Sequence, residues 1–73
     1  MNMYKLIFAK NAVISCDLMT GKFELSQDYM YHQDKGQLIY AIVKADNEED
    51  AINKGGQIVK EVTEKVFGND FIN

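Results

Sequence analysis

The sequence predicts an α+β domain: an antiparallel meander of three or four strands with one long C-terminal helix across one face, in the order β-β-β(-β)-α. Three observations carry this. Gln37 to Ala45 is rich in β-branched and aromatic residues, the composition of a strand. From Ala51 to Val66 the apolar residues recur at helical spacing. Before Gly36 the chain alternates with a period of two, so it supplies strands and no second long helix.

In chain order, Met3 to Lys10 reads as the first strand, with Tyr4, Leu6 and Phe8 on one side. Asn11 is a turn residue. Ala12 to Leu18 follows, with Ala12, Ile14, Cys16 and Leu18 as an apolar row and Ser15 and Asp17 facing away. Thr20-Gly21 marks a tight turn, and Lys22 to Ser26 alternates again, which suggests a hairpin over residues 12–26. Tyr29 to His32 continues as strand after an irregularity near Gln27-Asp28. Gln33-Asp34-Lys35-Gly36 is a connecting turn into the strand from Gln37.

Asp46 then offers an N-cap, with Glu49 three residues on as its capping-box partner. Glu48, Glu49 and Asp50 suit the positive end of the helix dipole. At 100° per residue, Ile58, Ala51, Val62, Gly55, Val66, Val59 and Ile52 lie within an arc of roughly 120°. Gly68 reads as the stop, with Phe71 and Ile72 folding back. Gly55 sits mid-arc, where glycine costs about 1 kcal/mol against alanine. That cost makes sense if helix and sheet approach closely there. The expected packing face is Ile39, Ala41 and Val43, with Ala41 beneath Gly55. Leu38, Tyr40 and Ile42 are then left on the other face.

Seventy-three residues with 47% hydrophobic content make one small domain over residues 1–73, with a thin core that gains from a partner. A net charge of -3 argues against general binding to nucleic acid or to an anionic membrane. One cysteine excludes an internal disulfide framework and fits a reducing compartment. No basic region followed by an apolar run opens the chain, and no apolar stretch approaches the ~20 residues of a membrane span. A cytoplasmic location is expected.

The residues offer little catalytic chemistry. His32 is the only histidine and Cys16 the only cysteine, and neither sits in a catalytic signature. Asp46, Glu48, Glu49 and Asp50 lack calcium-loop spacing, and helix capping accounts for them. The dispersed glycines form no phosphate loop. No catalytic, metal or cofactor-binding residue is assigned. The aromatics stand out instead. Tyr29-Met30-Tyr31 groups three large adaptable side chains of the kind enriched at interfaces. Tyr4, Leu6 and Phe8 form a row that, on the same side as Tyr40, would leave an apolar face beyond the helix's reach. The expected interaction residues are Tyr4, Leu6, Phe8, Tyr29, Met30, Tyr31 and Tyr40. A homodimer would hold Tyr40 and one of Leu6 or Phe8 in its contact.

The stretch Ala45 to Gly55 resembles strand-to-helix junctions of short bacterial and phage reading frames. In size and character the chain also resembles small phage-encoded inhibitors of host defence, including anti-CRISPR proteins. The expected function is a non-enzymatic protein-binding module, in its narrower form an inhibitor carried by a phage or mobile element. A nucleic-acid-associated accessory protein that uses its sheet face is the alternative, and a small enzyme subunit the third.

Overall fold

The computed structural model describes residues 1–21 and 25–72, with side chains through Glu64. Four strands, β1 (Asn2–Ala9), β2 (Ala12–Leu18), β3 (Tyr29–Asp34) and β4 (Gln37–Ala45), precede one helix, α1 (Glu48–Ile72). The strands form an antiparallel meander of two hairpins in the spatial order β2-β1-β4-β3, and α1 packs across one face. The α+β class read from the alternation and the helical period is the observed one.

Both hairpins close with two residues at positive φ, Lys10-Asn11 (52° and 60°) and Lys35-Gly36 (53° and 80°). Paired positive φ matches the turn to the right-handed twist of the flanking strands. Asn11 and Gly36 tolerate that region well, and the two lysines accept its cost. Asn11 also ties one hairpin tip to the start of β4, because its Oδ1 accepts the Leu38 N–H at 3.0 Å. The strand expected to pair with β2, Lys22 to Ser26, falls largely on residues 22–24, outside the described residues. β2 pairs with β1 instead.

Two bulges set which side chains meet the helix. Between His32 and Gln33 the β3–β4 register shifts, so that Leu38 and Tyr40 oppose consecutive β3 residues and Ile39 is the extra one. The extra residue reverses the alternation. Leu38 therefore joins Ala41, Val43 and Ala45 in the helix-side core at 1% exposure, whereas Ile39 is 43% exposed. This corrects the packing face read from simple alternation. A second bulge opposite Ile7 and Phe8 makes Ile14 the extra residue of β2. It turns Val13 toward the core and leaves Ile14 exposed.

The helix buries Ala51, Gly55, Ile58 and Val62, with Val59 packed alongside. Its close approach is at Gly55, where a Cβ would lie 2.7 Å from Leu6 Cδ1 and 3.2 Å from Val13 Cγ2. The expected close approach is real. Its neighbours are Leu6, Val13 and Phe8, not Ala41. The cap also differs by one residue. Asn47 Oδ1 accepts the Asp50 N–H at 2.8 Å, and Asp50 Oδ2 accepts the Asp46 N–H at 3.1 Å. Asn47 is thus the N-cap and Asp50 the reciprocal partner. α1 continues past Gly68 to Ile72, so the expected stop and returning tail are replaced by helix. No helix among the described residues is long and apolar enough to cross a membrane.

Candidate interaction surface

Strand pairing sorts the expected interaction residues into two groups. Tyr4 lies opposite Val43 and Leu6 opposite Ala41, so both share their partners' face under α1. Tyr4, Leu6 and Phe8 are 8%, 0% and 6% exposed. As folded, they are core side chains and offer no surface. A dimer contact through Leu6 or Phe8 is therefore excluded by burial. Which face they take depends on pairing with a strand some forty residues away, which local alternation does not encode.

The Tyr29-Met30-Tyr31 group is split by strand alternation. Tyr29 and Tyr31 turn to the helix side, with rings stacked at 6.2 Å and 7° and packed against the core. The Tyr29 hydroxyl donates to Glu61 Oε2 at 3.0 Å. That hydrogen bond, then burial and the Glu61 charge, push the phenol pKa up. Met30 points to the opposite face and is exposed.

No helix or strand among the described residues packs on that opposite face; at its Lys44 end the connection between β2 and β3 reaches it, where Lys44 Nζ donates to the Leu25 carbonyl at 3.3 Å. Two rows of the face cross all four strands, with Met3 opposite Lys44 beyond them. Asp17, Lys5, Ile42 and Met30 lie across the four strands in one, and Ser15, Ile7, Tyr40 and His32 in the next. Tyr40 is central. Lys5 Nζ sits 5.5 Å from its ring centroid, and the His32 ring lies 5.7 Å away at 31°. Ile42 is only 7% exposed although it stands outside the helix-side core. Its register neighbours are Lys5 and Met30, long unbranched side chains whose stems can lie over a neighbour while their ends reach water. The central pair of strands thus presents Ile7, Ile42 and Tyr40 with Lys5 among them, and Met30 extends the apolar patch to the β3 edge. Sequence reasoning assigned Tyr40 to this face, while Ile7, Lys5 and His32 follow only once the register is known.

Charge divides between the layers. Residues 1–45 carry five lysines and four carboxylates, and residues 46–73 carry three lysines and seven carboxylates. The net acidity belongs to the helix segment, and the sheet is close to neutral. An average over the chain hides this.

The remaining chemistry is sparse. A groove of about 380 Å³ runs between α1 and β3, lined by Asp28, Tyr29, Lys54, Gln57, Ile58 and Glu61. Its lysine is already engaged: Lys54 Nζ donates to the Lys44 carbonyl at 2.6 Å and lies 3.4 Å from Asp50 Oδ2. Cys16 faces the helix side opposite Leu6. Burial, then the Glu48 and Asp17 carboxylates, push its thiol pKa up, away from the reactive thiolate. His32 stands on the other face of the sheet, so the two make no nucleophilic pair. Among the described residues no three His, Cys, Asp or Glu side chains converge as a metal set. Comparison with known protein families, curated proteins and solved structures finds no match.

Proposed function

We propose that this chain is a non-enzymatic protein-binding module whose contact surface is the open face of the sheet. One observation carries the reading: Ile7, Ile42, Tyr40 and Met30 form an apolar patch from β1 to β3, with Lys5 and His32 beside the Tyr40 ring, and no helix or strand among the described residues packs over it. An apolar patch beside polar side chains suits a protein contact, and tyrosine and methionine are favoured in it. Ile7→Lys and Tyr40→Asp alter this face without touching the core beneath α1. Affinity capture from the source cells tests the reading. The wild type retains a defined partner, and both variants lose it while keeping their circular dichroism and melting temperature. Equal capture by wild type and variants would place the contact elsewhere.

The narrower form is an inhibitor of a host-defence complex carried by a phage or mobile element. Its support is the size and character of the chain, and genes of mobile elements on either side are its test. A housekeeping operon would count against it.

A second reading, single-stranded nucleic acid on the same face, is favoured by the near-neutral sheet and by Lys5 and His32 beside the Tyr40 ring. An electrophoretic shift that weakens steeply with salt supports it, and the absence of any shift at low salt removes it.

A further inference from the structure

The two edges of the sheet differ. β2 is broken by the bulge at Ile14 and carries Asp17, devices that blunt an edge against pairing. β3 has no extra residue of its own, because its bulge lies in β4, and it holds no lysine or proline; its one carboxylate, Asp34, is its last residue. The direction of its free backbone groups follows from one bond. The Lys44 N–H donates to the Asp28 carbonyl at 2.9 Å, so Asp28, Met30 and His32 direct their N–H and C=O toward β4. Tyr29 and Tyr31 direct theirs outward, and no described strand receives them.

We infer that β3 pairs antiparallel with β3 of a second copy of this chain, with Met30 on the two-fold axis. Two-fold pairing requires outward-directed residues to oppose one another, which leaves three registers near the middle of the strand. Centring on Tyr31 sets Asp28 opposite Asp34 of the second copy, twice over. Centring on His32 sets the two histidines against each other and Met30 against Asp34. Centring on Met30 sets Tyr29 opposite Tyr31, and Asp28 opposite His32, at both ends. Like charges directly opposite each other destabilise a sheet, and opposite charges and aromatic pairs stabilise it. The Met30 register alone opposes no two carboxylates and no two histidines, pairs aromatics at both ends, and sets each Asp28 carboxylate against an imidazole N–H that can donate to it. It brings the stacked Tyr29-Tyr31 pairs of two copies together on the helix side, and Met30 against Met30 on the open side. The outcome is one eight-stranded sheet with a doubled open face. This inference does not rest on what that face binds.

The test is a cysteine scan of the full chain in a Cys16→Ser background. Opposed residues that do not exchange hydrogen bonds lie about 4.5 Å apart at Cα, within disulfide reach. Met30→Cys should therefore oxidise to a covalent dimer, while Tyr31→Cys and His32→Cys stay monomeric on a non-reducing gel. Sedimentation of the unmodified chain should give a dimer at micromolar concentration. Met30→Glu, with unchanged circular dichroism, should weaken it by roughly tenfold or more. A monomeric wild type, or a crosslink at 31 or 32 in place of 30, overturns the proposal.

Discussion

The two faces of the sheet are made from alternate residues of the same four strands, yet they are held by different physics. On the helix side the fit is one of shape. Ala41, Ala45, Ala51 and Gly55 leave room that Leu6, Phe8, Leu38 and Val62 fill, and no buried polar side-chain atom lacks a partner among the described residues. On the open side Ile42 is 7% exposed, although no helix or strand among the described residues packs over it. Lys5 and Met30 flank it, and the cation of Lys5 rests near the Tyr40 ring. One face is thus closed by a helix, and on the other, among the described residues, the apolar side chains have mainly their own strand neighbours beside them. Stability is then concentrated on one face, and the other is free to change.

The largest expected effect tests that asymmetry directly. Leu6→Ala removes a fully buried side chain beneath Gly55 and should cost about 2–5 kcal/mol. Tyr40→Lys on the open side should cost less than about 1 kcal/mol. Paired urea titrations check both, and equal losses would erase the distinction between the faces.

Next is the close approach. Gly55→Leu should overpack the site and cost roughly 1–3 kcal/mol, because even a Cβ there meets Leu6 and Val13. Combining it with Leu6→Ala should recover part of the loss in thermal melts. Simple additivity would mean that the two sites do not share space.

The cap comes third. Asn47→Ala should cost about 1 kcal/mol, and Asp46→Ala less, since only the Asp46 backbone N–H takes part. The Asp50 carboxylate is held below its ordinary pKa, first by the Asp46 N–H and then by Lys54. A group depressed in the folded state stabilises above its unfolded pKa, and that contribution is lost as pH falls through the lowered value. Asp50→Asn should therefore flatten the acid limb of the stability curve and leave the neutral-to-alkaline region unchanged in slope.

The smallest effect has the opposite sign. Gly56 is exposed, and a Cβ there meets nothing within 4 Å. Gly56→Ala should raise stability by about 0.5–1 kcal/mol, through helix propensity alone. Two adjacent glycines would then respond to added carbon in opposite directions.

Much of this was legible because it is local. The strand Gln37–Ala45, the helix after it, the Asn11 and Lys35-Gly36 turns and the anomaly of Gly55 each announce themselves within a few residues. What was not legible was phase. Ile39 and Ile14 look like inward members of alternating rows, and each is the extra residue of a bulge that carries no glycine or other mark. Asp46 and Asn47 are equally good caps by type, and only the path of the chain from β4 chooses between them. The side taken by Tyr4, Leu6 and Phe8 depends on the register with β4, so of the seven expected residues only Tyr40 and Met30 lie on the open face, while the β1 row, Tyr29 and Tyr31 turn to the helix side.

The order β2-β1-β4-β3 has a kinetic consequence. The central pair joins residues 33 apart at Ile7–Tyr40 and 43 apart at Asn2–Ala45, whereas each outer pair is closed by a two-residue turn. The hairpins can form within microseconds, but a two-stranded ribbon is at best marginal alone. Productive folding therefore waits for β1 to find β4, an encounter between two preformed halves on a tether. The entropy of closing that tether grows only logarithmically, by about 0.6 kcal/mol for each doubling of its length. The tether leaves one edge of the sheet at Leu18 and re-enters at the other at Tyr29, across three strand spacings or about 14 Å. Lengthening it should slow the encounter slightly and leave unfolding almost untouched. Evolution can thus insert sequence between the hairpins far more cheaply than within either of them.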